Sequence, residues 1–333
     1  MRLGTAIIAI SFAAIAAVSC SSSTEELLDI LVDPPERKEI DVSQMGVNNF
    51  FLASEFGSFS DQFLEIRDTL GLKFVRILFA WSNDVQPSPD ADPFYGFYDA
   101  ILDAVPPGVD VLPVLVHTPD WMADSANWID GNPRTTWVER WLRPTVARYA
   151  GRSSIVGWEV WNEPDLTVVP SDFVLGLEEP GNYVELLSAA NTTIRSLDPT
   201  KLIVIAATES INQDFPNNLN YNKDLQMLGA DALVDIWNIH YYGEQYERVV
   251  VGGGIADFLG GLSKAVWVTE SGEPSAVGQL PYVETAWPFL REKIPNITRI
   301  YYYRYANSAG DLPYGLRQGG ETVSDLYIHL RDR

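Results

Sequence analysis

Gly157-Trp158-Glu159-Val160-Trp161-Asn162-Glu163-Pro164-Asp165 decides how the rest of the chain is read. An apolar run suited to a strand buried on both faces stops abruptly at a polar Asn-Glu pair, and Pro164 then forces a turn. A carboxylate at the end of such a strand stands where a barrel of parallel strands gathers functional groups at its C-terminal mouth. Taken as a tripeptide, Asn-Glu-Pro is read equally well as a surface turn. A second segment of the same design shifts the balance: Val266-Trp267-Val268-Thr269-Glu270-Ser271-Gly272 is again an apolar run that ends in one glutamate.

Outward from these two segments, short β-branched and apolar runs alternate with amphipathic stretches, the pattern of parallel strands joined by helices. Eight strands are expected: Met45 to Phe51, Phe74 to Phe79, Val109 to Val116, Ile155 to Trp161, Leu202 to Ala207, Ile236 to Tyr241, Ala265 to Thr269 and Arg299 to Tyr303. Between them lie helical stripes. One runs through Phe63, Leu64, Arg67 and Leu70 to a stop at Gly71, a second through Trp137, Val138, Trp141, Val146 and Tyr149, and a third through Tyr183, Leu187, Ala190, Ile194 and Leu197 before Asp198-Pro199. Eight strand–helix units in one stretch predict an α/β fold of the (β/α)8 TIM-barrel type, a single domain over residues 39–333. No glycine-rich dinucleotide or phosphate-loop fingerprint competes with this.

Strands four and seven lie across such a barrel, so Glu163 and Glu270 would flank a sugar-sized gap. Glycoside cleavage needs such a pair: one carboxyl protonates the departing oxygen while the other attacks the anomeric carbon, and both then reverse roles for water. A separation of roughly 5 to 5.5 Å leaves no room for an attacking water and implies retention, whereas roughly 7 to 9 Å implies inversion. The two groups need opposite resting protonation states. Arg76, inside Phe74-Val75-Arg76-Ile77-Leu78, is a cation in an apolar strand and therefore needs an anion. Glu270 is the functional partner; an ion pair lower in the barrel is the plainer one. Glu159, inside its strand, is expected to matter far less than Glu163.

With both glutamates placed, the pattern resembles the clan A glycoside hydrolases over the whole predicted barrel. Trp161-Asn162-Glu163-Pro164-Asp165 with Ser196-Leu197-Asp198-Pro199 is most similar to family 39, with family 5 close behind. The resemblance implies Glu163 as acid/base, Glu270 as nucleophile and Asn162 as donor to the sugar 2-hydroxyl. It also implies an inward-facing His and Tyr two apart on strand six, a parity that His240 and Tyr242 share. Tyr242 would donate to Glu270, and His240 would line the sugar or tune the acid, a merely satisfied buried His being the alternative. His117, Trp81 and Trp121 follow strands three and two and are read as sugar contacts or as loop packing. Asn48, Asn49, Tyr303 and Tyr305 are further cleft candidates. The clan often places a Trp on strand eight, and Tyr301-Tyr302-Tyr303-Arg304-Tyr305 departs from that. The implied activity is a retaining β-glycoside hydrolase acting on a neutral polysaccharide or oligosaccharide of xylan, glucan, mannan or exopolysaccharide type. The alternatives are a carbohydrate-binding barrel without turnover and a transglycosylase with the same site.

A net charge of −22 repels polyanions, which disfavours nucleic acid as a partner and, more weakly, strongly acidic sugars. The ten Trp stack well on sugar rings, although core packing is the commoner use. No group of His, Cys, Asp and Glu has metal-ligand spacing, so neither metal nor cofactor is expected, and His329 is read as structural. The sequons at Asn191 and Asn296 are read as chance.

Residues 1–19 read as a signal peptide, with Arg2 as the charged start and Ala6 to Val18 as an apolar stretch too short to span as a mature helix. Cys20 is the only cysteine, so no intrachain disulfide exists. Ala17-Val18-Ser19-Cys20 resembles a bacterial lipoprotein processing site, departing from it at Ala17, where Leu is usual. Residues 20–38, polar and broken by Pro34-Pro35, then suit a lipidated tether holding an exported domain at a membrane, on the cell surface or the periplasmic face, with the lipid as sole membrane contact.

Overall fold

The computed structural model describes residues 35–51, 54–166, 173–307 and 311–333. The expected signal peptide, Cys20 and the tether up to residue 34 lie outside the described residues. Eight parallel strands close into a barrel in sequence order: β1 Met45–Asn48, β2 Phe74–Ala80, β3 Asp110–Val116, β4 Gly157–Val160, β5 Leu202–Ile205, β6 Ile236–His240, β7 Ala265–Ser271 and β8 Ile297–Tyr302, with β8 pairing back onto β1. Each expected strand is present. The bounds differ by up to three residues: β4 starts at Gly157 rather than Ile155 and β8 at Ile297 rather than Arg299, while past the C-terminal ends of β1, β3 and β4 Phe51, His117 and Trp161 adopt left-handed backbone (φ of 56°, 67° and 77°) and turn the chain out of the ladder.

Helices follow the strands on the outside, and between them and the barrel lies the main core. Seven of the ten tryptophans are fully buried, which settles most of them as packing residues. The second expected stripe is buried throughout; the third is buried from Tyr183 to Ile194 and partly exposed at Leu197, where helix Pro180–Leu197 ends. The first stripe is displaced. Helix Phe59–Leu64 runs into a π-helical turn over Glu65–Thr69, so Phe63, Ile66 and Leu70 face the core while Leu64 is exposed. The wider turn advances the face by a fraction of a residue, which a 3.6-residue period does not anticipate.

Inside the barrel, Leu112, Val204, Ile236, Trp267 and Tyr301 form a separate apolar plug. The Arg299 guanidinium lies 3.5 Å from the Phe74 ring centroid and 4.2 Å from that of Trp267. Gly46 is required here, because a Cβ on it would meet the Tyr301 ring at 2.4 Å. One ladder step up, the same inward parity brings Arg76, two residues beyond Phe74, and Asn238, two beyond Ile236, to the layer beneath the mouth.

On β7 that parity breaks, and the break positions the site. Asn238 pairs with Trp267 and Ile239 with Val268, yet His240 pairs with Glu270 rather than Thr269. Thr269 is thus the extra residue of a bulge, and it carries Glu270 onto the same inward face as Trp267, three residues earlier. A bulge re-aims a side chain at the cost of one ladder position. The Asn48 side-chain amide stabilises it by donating to the Thr269 carbonyl at 2.8 Å.

Candidate active site

Arg76 organises the layer beneath the mouth. Its side chain is fully enclosed, and all five of its N–H donors are used. Nε and Nη2 hold Glu159 in a two-pronged pair at 2.8 Å each, Nη1 donates to Asn48 Oδ1 at 3.0 Å and to Glu270 Oε1 at 2.5 Å, and Nη2 reaches Asn162 Oδ1 at 2.7 Å. The two readings of Arg76, partner of Glu270 and structural ion pair lower in the barrel, are both realised by one guanidinium. Asn238 adds a bond to Glu159 Oε1 at 2.9 Å. Arg76 takes the Asn162 oxygen, which leaves the Asn162 NH2 directed to the Glu163 carboxyl, where its hydrogen bond works against the upward push.

Above this layer stand Glu163, following β4, and Glu270, on β7. Glu163 has φ 48°, a left-handed conformation stabilised by its N–H donating to the Ala207 carbonyl at 2.9 Å. His240 from β6 sits between the two, with Nδ1 2.9 Å from Glu163 Oε1 and Nε2 3.7 Å from Glu270 Oε1. Tyr242 donates its hydroxyl to Glu270 Oε2 at 3.0 Å. One oxygen of each glutamate and one His240 nitrogen lie within 4.8 Å of one another. This trio has the donor set of a cation site, but the Arg76 charge already occupies Glu270 and one His240 nitrogen is engaged with Glu163. The cluster suits the holding and moving of a proton.

The electrostatics separate the two carboxyls. Burial, then the negative charges of Glu270 and Glu209, push the Glu163 carboxyl well above the usual range. Burial also works against Glu270, but the charges of His240 and Arg76, with hydrogen bonds from Arg76 and Tyr242, overcome it and leave Glu270 below its ordinary value. Burial lowers His240 itself, while the Glu270 charge works in the opposite direction. A third carboxyl, Asp165, is pushed up to about 7 by burial and by Glu163, and it accepts from the Glu209 N–H at 3.1 Å. The result is an acid facing an ionised carboxylate across a narrow gap.

Against this geometry the matching family model is that of cellulase, glycosyl hydrolase family 5, over residues 36–302. The chain belongs to glycosyl hydrolase family 5. It is therefore a clan A O-glycoside hydrolase, in the second of the two families its sequence resembles. No curated protein matches it by sequence. Among solved structures it is similar to a family 39 glycoside hydrolase from the gut symbiont Bacteroides cellulosilyticus WH2, at 16% identity and TM-score 0.62, covering 89% of this chain and 63% of that one. It is also similar to endo-glycoceramidase II from Rhodococcus sp., at 16% identity and TM-score 0.58, covering 89% and 81%. A third is the β-galactosidase from the psychrophilic Marinomonas ef1, at 12% identity and TM-score 0.60, covering 86% and 58%. The family 5 chain thus spans less than two thirds of the first and third of these, and the likeness is one of fold.

The remaining candidates divide by exposure. Asn48 is enclosed and supports Arg76 and the bulge. Trp81 is fully buried, parallel to Trp141 with ring centroids 6.4 Å apart, and bonds Gln86. Tyr305 turns away from the gap toward Glu65 and Arg317. Asn49 bonds Gln62 at 3.1 Å outside the cluster. His117 and Trp121 are partly exposed; the His117 carbonyl accepts from Trp137, and the Trp121 ring lies edge-on to Trp81 under the Arg140 guanidinium. Tyr303, just past β8, lies edge-to-face with Tyr242 at 6.1 Å and with Tyr314 at 5.6 Å. Sequence reading did not find Tyr314, Asn238 or the role of Glu159. Only Glu159 carried a signal, as an acid inside an apolar strand.

Proposed function

We propose that this family 5 enzyme is a retaining β-glycoside hydrolase, with Glu163 as acid/base and Glu270 as nucleophile, acting on a neutral polysaccharide or oligosaccharide. One observation carries the reading: two carboxyls meet within 4.8 Å at the mouth, one driven to hold its proton and the other to lose it. That gap falls on the short side of the division between direct attack and a water-mediated displacement.

In the first step the Glu270 carboxylate attacks the anomeric carbon while Glu163 gives its proton to the departing oxygen. Attack converts Glu270 to a neutral ester. Its negative charge, one of the causes that raise Glu163, then disappears, so Glu163 becomes a weaker acid-holder and is suited to take a proton from water in the second step. His240 is placed to follow that proton, and the Asn162 NH2 to bind the 2-hydroxyl. A neutral substrate fits the net charge of −22 and an Arg76 already saturated by protein partners. Secretion and lipid attachment at Cys20 belong to the same proposal, because a polysaccharide too large to enter a cell must be met outside it.

Hydrolysis of aryl β-glycosides and a polysaccharide panel by wild type, Glu270→Ala and Glu163→Gln tests the reading. Turnover should fall by orders of magnitude in both variants with the fold intact, and the first product anomer, read by NMR, should be β. Wild-type rates in Glu270→Ala, or an α first product, would overturn it. Product analysis at high acceptor concentration distinguishes transfer from hydrolysis.

A further inference from the structure

The connection after β5 touches both halves of the site at five positions between Ala207 and Gln213. The Ala207 carbonyl accepts from the Glu163 N–H at 2.9 Å, and the Glu209 N–H donates to Asp165 Oδ1 at 3.1 Å. The Ile211 N–H donates to the His240 carbonyl at 3.0 Å. Asn212, itself 2% exposed, then spans both main-chain groups of Tyr242: its Nδ2 donates to the Tyr242 carbonyl at 2.6 Å, and its Oδ1 faces the Tyr242 N–H at 3.4 Å. Asn212 is fixed in turn by the Ser210 hydroxyl at 2.8 Å and by Gln245. Gln213 gives the same carbonyl a second bond at 2.6 Å. The next residue, Gly243, has φ 81°, so the chain leaves Tyr242 through a turn that does little to fix the ring by itself.

We propose that Asn212 is a positioning residue for the nucleophile: by holding the Tyr242 backbone it keeps the Tyr242 hydroxyl on Glu270. The inference rests on Glu270 being the nucleophile. A hydroxyl donating to a carboxylate favours the ionised form, and the benefit depends on the ring staying within hydrogen-bond reach. β6 ends at His240 and Tyr242 lies beyond its last ladder position; on the strand side its backbone is held only through the neighbouring Tyr241 N–H on the Glu270 carbonyl at 2.9 Å. The strap from β5 supplies the missing constraint and ties it to the backbone that carries Glu163.

The experiment compares wild type, Asn212→Ala, Gln213→Ala, Tyr242→Phe and Asn212→Ala/Tyr242→Phe. The pH profile of kcat/KM on an aryl β-glycoside is read alongside the titration of the 13C-labelled Glu270 carboxyl by NMR. Tyr242→Phe should move the acid limb and the carboxyl midpoint upward, because the ionised form loses a donor. Asn212→Ala should move both in the same direction by part of that amount, with kcat/KM about tenfold to a hundredfold lower, the scale of a misplaced catalytic group. Gln213→Ala, which removes one bond at an exposed position, should give a smaller shift of the same sign. In the double variant the Asn212 change should add no further shift. An Asn212→Ala protein with an unmoved midpoint, or with a shift that adds fully to that of Tyr242→Phe, overturns the proposal. Should Asn212→Ala fail to fold, Gln213→Ala and its combination with Tyr242→Phe carry the same test. If the aryl glycoside is not turned over at all, the glycosidase reading fails, while the NMR titration still decides whether Asn212 governs Glu270.

Discussion

Glu159→Gln is the most informative perturbation of the layer beneath the site. The change keeps shape and removes one charge. Glu159 Oε2 accepts from Arg76 Nε at 2.8 Å, and Oε1 accepts from both Arg76 Nη2 at 2.8 Å and Asn238 Nδ2 at 2.9 Å. Whichever way the new amide turns, its NH2 faces at least one of these donors, so a buried donor loses its acceptor. Breaking a buried pair from one side costs about 3–5 kcal/mol. Arg76 keeps Glu270, which argues for the lower end, about 3 kcal/mol, or a fall in Tm of about 5–10 °C for a chain of this size. Arg76 also orients Glu270 and Asn162, so relaxation of the guanidinium displaces both, and kcat/KM should fall about a hundredfold. Thermal unfolding by circular dichroism and aryl-glycoside kinetics read the two effects separately. A variant within about 2 °C and threefold of wild type would refute the claim that Glu159 anchors the cluster, and would restore the expectation from the strand alone that it matters little.

Arg76→Lys should be far from conservative, because a single ammonium cannot replace five donors in a fixed fork; loss of more than about a hundredfold in kcat/KM is expected, and near-wild-type kinetics would argue against the fork. Asp165→Asn should change how stability varies with pH. The folded carboxyl titrates at about 7 against an ordinary value of 3.8, so the folded state binds the extra proton between these limits, and wild type loses stability as pH rises from about 4 through 7. The amide removes that loss, which is at most about 4 kcal/mol and smaller because the residue is partly exposed. Tm of Asp165→Asn relative to wild type should therefore be higher at pH 8.5 than at pH 4.5, and an equal difference at both would remove Asp165 as a buried acid.

Most of the strands were legible because burial on both faces leaves them largely apolar, with single polar residues such as Arg76, Glu159 and Asn238 inside them, and the two glutamates were legible because each ends such a run. The partners of Arg76 were half legible: an arginine inside Phe74–Leu78 announces the need for an anion but cannot say that one fork serves two. The bulge at Thr269 leaves no mark on composition, since Val266-Trp267-Val268-Thr269-Glu270 reads the same with or without a slipped ladder. Simple alternation would have placed Glu270 on the face opposite Trp267. Tyr305 was misplaced as a cleft residue for a related reason, and for Trp81 it is the packing alternative that holds. Adjacency to a strand end says that a side chain is near the mouth, whereas its direction is set by where the chain turns, and here by packing against Trp141 and near Glu65.

Strain at the mouth and close packing at the base belong to one design. Of the five non-glycine residues with positive φ among the described residues, four follow strand ends: Phe51 after β1, His117 after β3, and Trp161 and Glu163 after β4. Each such residue costs of order 1–3 kcal/mol and persists only where its surroundings over-determine it. They do so here through the Trp161 N–H on the Leu115 carbonyl, the Trp137 indole on the His117 carbonyl, the Phe51 N–H on Asn49 Oδ1 and the Glu163 N–H on the Ala207 carbonyl. The stability that offsets this cost comes from below, from the Arg299 stack and the plug beneath Arg76. Two carboxyls of opposite proton affinity held within 4.8 Å of each other gain from a backbone unable to relax, and a left-handed Glu163 locked to the Ala207 carbonyl just past β5 supplies that rigidity.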